Sequence, residues 1–215
     1  MFLINKFRTF LLVVRNYCKK LYYQKLRNKL KNKVPSIIAI NCIGGIIYHN
    51  LNLKFFSPTI NLFFEKEDFF IFVENLKGFL GSELLEYHSA DVNYPVGYLT
   101  YGNKDILIHF MHYSNFEEAK QKWNERKERI NFDNLYIMHM ITDATEDDID
   151  RFNRLPYKNK LLISNINPFK QKNIFTHNIF SDKDYFPGKI LKPKSKYSYK
   201  IFLDDIDYVS FLNQK

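Results

Sequence analysis

Cysteine is almost missing from this sequence. Cys18 and Cys42 are the only two among 215 residues, too few for a disulfide framework, so a reducing compartment is expected. Glycine and proline are also scarce, at seven each, and no disordered linker is implied. Long apolar runs are lacking at the N-terminus. The longest in the first 34 residues is the five-residue run 10–14. A membrane span needs roughly 20 apolar residues and a signal peptide roughly 7–15, and no small-residue cleavage site follows. Neither the glycine-rich dinucleotide fingerprint nor the phosphate-loop motif occurs. Acid is absent from residues 1–34, which hold ten Lys and Arg.

That last absence locates the charge. The formal net charge is +9, yet the 181 residues after the tail carry 22 basic against 23 acidic side chains. The body is neutral, which argues against a nucleic-acid-binding body. Aromatics are abundant at 17%, with 21 Phe and 15 Tyr, enough to fill the core of one domain.

In the tail, Leu3, Phe7, Phe10, Val14, Tyr17 and Leu21 step by four and three, one face of a helix. Basic residues cover much of the remainder. Such a helix suits the plane of an anionic membrane surface. The alternatives are packing on the body or on a second copy. Residues 1–34 therefore read as a basic amphipathic helix and residues 35–215 as an α/β domain.

Within the domain, residues 36–41 read as a buried strand, 42–45 as a tight turn and 46–51 as a short helix. Residues 59–64 read as a second strand and 66–80 as a helix. Residues 97–101 and 105–111 form the arms of a hairpin around Gly102-Asn103. Residues 114–130 read as a helix with a Ser114/Glu117 capping box. Then come a strand at 135–142, a helix at 145–155 stopped by Pro156, and a strand at 160–164. Residues 165–196 have no clear period. A strand at 198–203 and a helix at 205–212 close the chain. Strands alternating with helices predict a layered α/β fold, its sheet largely parallel with one antiparallel insertion.

In such sheets ligands sit outside the carboxyl ends of the strands. Candidate residues follow from that rule. Asn41, Gly44 and Gly45 stand where backbone N–H groups can approach an anion at a helix N-terminus. Cys42 there is a candidate thiolate, against the plainer reading of a small buried cysteine in a turn. His49, His109 and His112 are its possible partners. Asp143 ends the next strand. Trp123 and Arg126 lie on neighbouring turns of the capped helix, where Arg126 can clamp phosphate or carboxylate or simply sit on a solvated charged face. Three D-x-D triplets begin at Asp148, Asp182 and Asp205. They are common by chance and are not read as metal sites. No cofactor follows from any of these patterns.

Taken in order, several runs resemble a bacterial domain-of-unknown-function family often named "exopolysaccharide biosynthesis protein", found in capsule and exopolysaccharide gene clusters. They are residues 36–45 (SIIAINCIGG), 57–64 (SPTINLFF), 94–97 (YPVG), 108–113 (IHFMHY), 117–119 (EEA), 123–126 (WNER), 129–131 (RIN), 133–134 (DN) and 155–160 (LPYKNK). The likeness covers about residues 35–165. Ile43 stands where the family usually has an aromatic, and Ala144 alone separates Asp143 from Thr145 where a glycine and a cysteine are usual. The resemblance implies a three-layer, Rossmann-like α/β fold. It also implies work in surface-polysaccharide assembly, expected on the cytoplasmic, inner face of the membrane. The expected activity is glycosyl or related group transfer onto a glycan or lipid-linked glycan. In glycosyl transfer, Gly44 and Gly45 would take a diphosphate and His109 or Asp143 would act as base. In acyl transfer, Cys42 would be the nucleophile. A non-catalytic assembly or regulatory protein of the same pathway is the alternative.

Overall fold

The computed structural model describes residues 2–186 and 188–214, with side chains for all of these except residues 2–5 and 7. The chain runs α1 (Phe2–Lys29), β1 (Ser36–Ala39), α2 (Ile43–Leu51), α3 (Lys66–Glu74), α4 (Leu76–Gly81), β2 (Leu85–Tyr87), β3 (Val96–Tyr101), β4 (Lys104–His109), α5 (Phe116–Lys127), β5 (Leu135–Ile141), α6 (Glu146–Arg154), β6 (Asn159–Ser164), β7 (Ile174–Thr176) and α7 (Tyr208–Leu212).

Strands β1, β5, β6 and β7 form a sheet in the order β1-β5-β6-β7, with every pairing parallel. Alternate side chains feed two cores. Ile38, Ile137 and Leu162 point into one, with Phe69, Phe70 and Phe72 of α3 and Phe152 of α6. Ile37, Met138 and Ile163 point into the other, with Ile47 and Tyr48 of α2 and Phe211 of α7. This makes the three layers expected. Strands β2, β3 and β4 form a separate antiparallel sheet, with Gly102 at φ +62° in the hairpin turn.

Residues 59–64 do not form the expected strand. Pro58 precedes them, and Asn61 adopts φ +62°, a left-handed conformation that breaks an extended run. Side chains replace the missing ladder. Thr59 Oγ1 accepts from Ala39 N at 3.0 Å along the edge of β1. Further on, Phe64 N donates to Ile40 O, while Phe63 and His109 exchange two backbone bonds, all at 2.9 Å. This short link sews the antiparallel sheet to the parallel one.

Three other expectations are corrected. The helix over 66–80 breaks at Asn75, whose φ/ψ of −128°/34° ends α3, and Asn75 Nδ2 donates back to Ile71 O at 3.2 Å. The cap of α5 is Asn115, accepting from Glu118 N at 2.8 Å, one residue after the predicted Ser114. Residues 198–203 make a single bridge, between Ile201 and Pro193, in place of a strand.

Residues 42–45 are not a turn, because α2 begins at Ile43 and carries Gly44 and Gly45 in its first turn. Both glycines are buried. A Cβ on Gly44 would lie 3.0 Å from Ala39 Cβ, whereas one on Gly45 would meet only Ile60, at 3.6 Å. Gly44 thus sets how closely α2 lies on β1. Gly45→Ala is expected to stabilise by up to about 1 kcal/mol through helix propensity. Gly44→Ala should lose that gain to crowding, and Gly44→Val should cost about 1–3 kcal/mol by overpacking. Urea denaturation decides it; equal stabilisation by both alanines would mean that α2 has slack over β1.

Helix α1 belongs partly to the body. Tyr23 and Leu30 are buried, and Tyr23 donates to Asp204 Oδ2 at 3.0 Å. Tyr208 donates to the other oxygen of the same carboxylate at 3.1 Å. Arg27 Nε reaches Asn50 O at 2.9 Å. The opposite side of the helix faces solvent. Phe10 and Tyr17 are 61% and 63% exposed, and Val13, Val14 and Leu21 are exposed as well. Leu3 and Phe7 of the predicted stripe have side chains outside the described residues. No helix among the described residues is long and apolar enough to cross a membrane.

Candidate functional site

Residues from several elements meet along the carboxyl edge of the parallel sheet. At the end of β1, Asn41 Oδ1 accepts from Ile43 N at 3.1 Å and holds the start of α2. Cys42 follows, half-buried, with Sγ 3.9 Å from Leu62 O. Burial pushes its thiol up, the wrong direction for a thiolate nucleophile.

His109 lies beyond the linking segment. Directly opposed residues of an antiparallel pair project to the same side, so Phe63 and His109 stack, with ring centroids 4.5 Å apart and planes 11° from parallel. Tyr94 Oη lies 3.5 Å from His109 Nδ1. Burial lowers the His109 pKa, while Glu65 and Asp68 pull it back up. The ring is neutral at neutral pH, as a proton acceptor must be. Asp68 itself is pushed up by burial, and its carboxylate accepts from Leu107 N at 3.3 Å, capping the edge of β4.

Asp143 is exposed in the turn after β5. The next residue, Ala144, donates its N–H to Asn165 Oδ1 at 2.9 Å, tying that turn to the end of β6. Neighbouring strands stand about 4.8 Å apart, so Cys42 and Asp143 are one strand step from each other, while His109 lies on the other side of Cys42 with the 63–64 link between them. Among the described residues, no hydrogen bond joins Cys42 to a histidine. Clefts of about 400 Å³ open elsewhere, one between Asn75, Tyr101, Phe132 and Tyr157 and one between Phe175, His177, Phe202 and Asp205.

The remaining candidates are scattered. His49 is exposed in the last turn of α2, six residues and about 9 Å of helix from Ile43. His112 is exposed in the turn after β4. Gly44 and Gly45, by contrast, stay beside Cys42, buried in the first turn of α2. Trp123 is 1% exposed in the first core, against Phe72 and Phe110, where no substrate reaches it. Arg126 acts as a brace. Its Nη1 donates to Tyr113 Oη at 2.6 Å, its guanidinium lies 5.2 Å over the Phe55 ring, and Tyr113 Oη donates onward to Ile60 O at 3.0 Å.

Four of the six D-x-D carboxylates are already engaged within the fold. Asp148 completes a capping box with Thr145 and pairs with Lys66 at 3.2 Å. Asp182 pairs with Lys189, Asp205 with Lys194, and Asp207 caps α7. Among the described residues, no three His, Cys, Asp or Glu side chains gather as metal ligands.

Two features had no signal in the sequence. Lys66 joins the starts of α3 and α6 across 82 positions. His139, in the middle of β5, is fully buried among Phe69, Phe70 and Phe152, with ring centroids 4.7, 4.6 and 6.4 Å away. Apart from an off-geometry approach to the Met140 backbone, neither of its ring nitrogens has a hydrogen-bond partner among the described residues.

A protein of Haemophilus influenzae titled "Uncharacterized protein" is 35% identical over 189 residues, which span 87% of this chain and 88% of that one. A family model described as a domain of unknown function (DUF1919) matches residues 13–213, taking in the packed half of α1 together with the whole α/β body. The match covers nearly the full fold, and this chain belongs to that family.

Proposed function

We propose that this protein works in surface-polysaccharide assembly at an anionic membrane face, as a glycosyl or related group transferase. The observation that carries the location is the direction of the α1 stripe. Phe10, Val13, Val14, Tyr17 and Leu21 point away from the body, on a helix that carries no acid. Leaving such a stripe in water forfeits apolar burial that an interface would recover. The pathway rests on the sequence resemblance described above. In this reading a lipid-linked glycan is presented at the carboxyl edge of the sheet, and His109 takes a proton from the acceptor hydroxyl. Acyl transfer through Cys42 has less support, because burial works against its thiolate.

A second reading, a non-catalytic assembly protein on the same membrane, is favoured by the spread of Cys42, His109 and Asp143 along the edge. A strain lacking the protein separates the two. Wild-type protein should restore surface glycan. A variant with Phe10→Ser, Val14→Ser and Tyr17→Ser should fold, leave the membrane fraction and restore little. His109→Asn should stay on the membrane and restore none. Full glycan from His109→Asn would sink the transferase and leave the assembly role; full glycan from the stripe variant would sink the membrane role.

A further inference from the structure

Residues 189–200 (KILKPKSKYSYK) hold five lysines and no acid. After a 3-10 turn at Lys189–Leu191 the segment is an irregular loop laid against α1. Arg15 Nη1 donates to the Lys196 carbonyl at 3.3 Å. The Tyr22 and Tyr199 rings lie 5.7 Å apart, and Lys200 Nζ lies 4.9 Å above the Tyr22 ring. Arg15 and Tyr22 are the chain neighbours of Val14 and Leu21. A helix turns about 100° per residue, so Arg15 and Tyr22 stand that far round α1 from Val14 and Leu21, and the loop lies between the stripe and the face that packs on the body.

Besides Lys200 on the Tyr22 ring, the loop's four other lysines divide into two sets. Lys189 is held by Asp182 at 2.8 Å and Lys194 by Asp205. Lys192 and Lys196 are exposed and have no carboxylate partner among the described residues. Tyr197 and Tyr199 are exposed beside them. On α1, helical geometry puts Lys20 on one border of the stripe and Lys25 on the other, and both are exposed. The tail and this loop together carry fifteen of the 32 Lys and Arg of the chain and none of its acids.

We propose that α1 and residues 192–200 form one docking surface for an anionic lipid bilayer, with the stripe entering the headgroup boundary and Lys192 and Lys196 meeting the lipid headgroups beside it. The inference rests on the membrane reading above and adds a second, distant segment to it. A tyrosine-bearing basic flank suits this boundary, where an aromatic body meets apolar chains and its hydroxyl meets water. A second copy of the chain fits the same stripe poorly, since two acid-free helices of like charge would face each other.

The test is co-sedimentation of the full chain with phosphatidylcholine vesicles and with mixed phosphatidylcholine–phosphatidylglycerol vesicles, at low and high salt. Wild type should bind the mixed vesicles at low salt, ignore the neutral ones and release as salt rises. Each lysine near an anionic surface contributes about 1 kcal/mol, a factor of about five, so Lys192→Gln with Lys196→Gln should weaken binding about 25-fold. The same change at Lys104 and Lys158, which lie on neither segment, should leave binding within about twofold on that scale. Wild-type binding with an unchanged loop variant would overturn this inference alone and leave α1 as the whole anchor. No binding by wild type would overturn the membrane reading as well. A dimer in solution that the Phe10, Val14 and Tyr17 serines dissolve would assign the stripe to a second copy.

Discussion

Lowering the pH from 7 to 5 is expected to cost the folded protein about 2 kcal/mol through His139 alone. Burial among three phenylalanine rings pushes this imidazole down to about 3, with Asp148 pulling weakly the other way. The unfolded chain binds the same proton near pH 6.5. Folding therefore excludes a proton across the whole interval. The stability is fully present above about pH 6.5 and is lost as pH falls towards 3, at about 1.4 kcal/mol per unit. The comparison with a variant lacking the imidazole subtracts the groups that both proteins share, among them Asp68 and Asp204, whose carboxyls burial pushes up. Burial pushes the Asp148 carboxyl up, but bonds from Thr145 and the Lys66 ammonium overcome this and hold it low. Its stability contribution is lost only as pH falls below about 4. His139→Leu keeps the volume, removes two nitrogens without partners and should shift stability by less than about 1.5 kcal/mol at pH 7. Urea denaturation of both proteins at pH 7, 6 and 5 gives the comparison. Parallel pH dependences would mean that the ring is hydrated or paired in solution.

His139 also marks the limit of what the sequence could reveal. It sits in a run of Tyr, Ile, Met and Met, where period two says only that some face is buried. Which helices cover that face depends on α3, some seventy residues earlier, and no local pattern records it. The same holds for Lys66 and Asp148. Each looks like a first-turn residue of its own helix, and only the fold turns them into a bridge. Elements with one strong local signal were legible: the Gly102-Asn103 hairpin, α6 with its acidic first turn, and the long α1. Residues 59–64 misled because their apolar period is that of a strand, while Asn61 in the left-handed region and the Thr59 hydroxyl dictate something else. The order of strands along the carboxyl edge could be argued from α/β topology. The spacing of Cys42, His109 and Asp143 along it could not, because the linking segment that inserts between β4 and β1 is visible only in three dimensions.

The direction of the α1 stripe illustrates the same boundary. Spacing by four and three identifies one apolar face, but α1 in fact has two. Leu26 and Leu30 meet the second core and Tyr23 is buried on Asp204 beside them, while Phe10, Val13, Val14, Tyr17 and Leu21 form a separate face turned outward. Periodicity alone assigns the stronger stripe to the interior by default. Here the interior took the weaker one, because the tyrosine and leucine side chains near the C-terminal end of α1 find Asp204, α2 and α7 there. That leaves the strongest apolar period of the tail for something outside the chain.

Trp123→Ala is expected to cost about 3–5 kcal/mol, the largest single loss among these predictions. The side chain is among the largest fully buried ones, and it packs on Phe72 at 6.1 Å and edge-on to Phe110 at 6.4 Å. It joins α5 to the first core where α3 and the antiparallel sheet also meet. Truncation leaves a cavity that rigid aromatic neighbours cannot fill. Trp123→Phe should cost far less than the alanine. The smaller ring loses some contact, but the indole Nε1–H has no partner among the described residues, and removing a buried unsatisfied donor returns on the order of 1–3 kcal/mol. Urea midpoints for both variants measure the difference. A ligand role for Trp123 predicts the reverse pattern, an alanine variant as stable as wild type that has lost only recognition. The burial of the indole leaves a ligand no face to touch, so stability should fall first and any loss of function should follow from it.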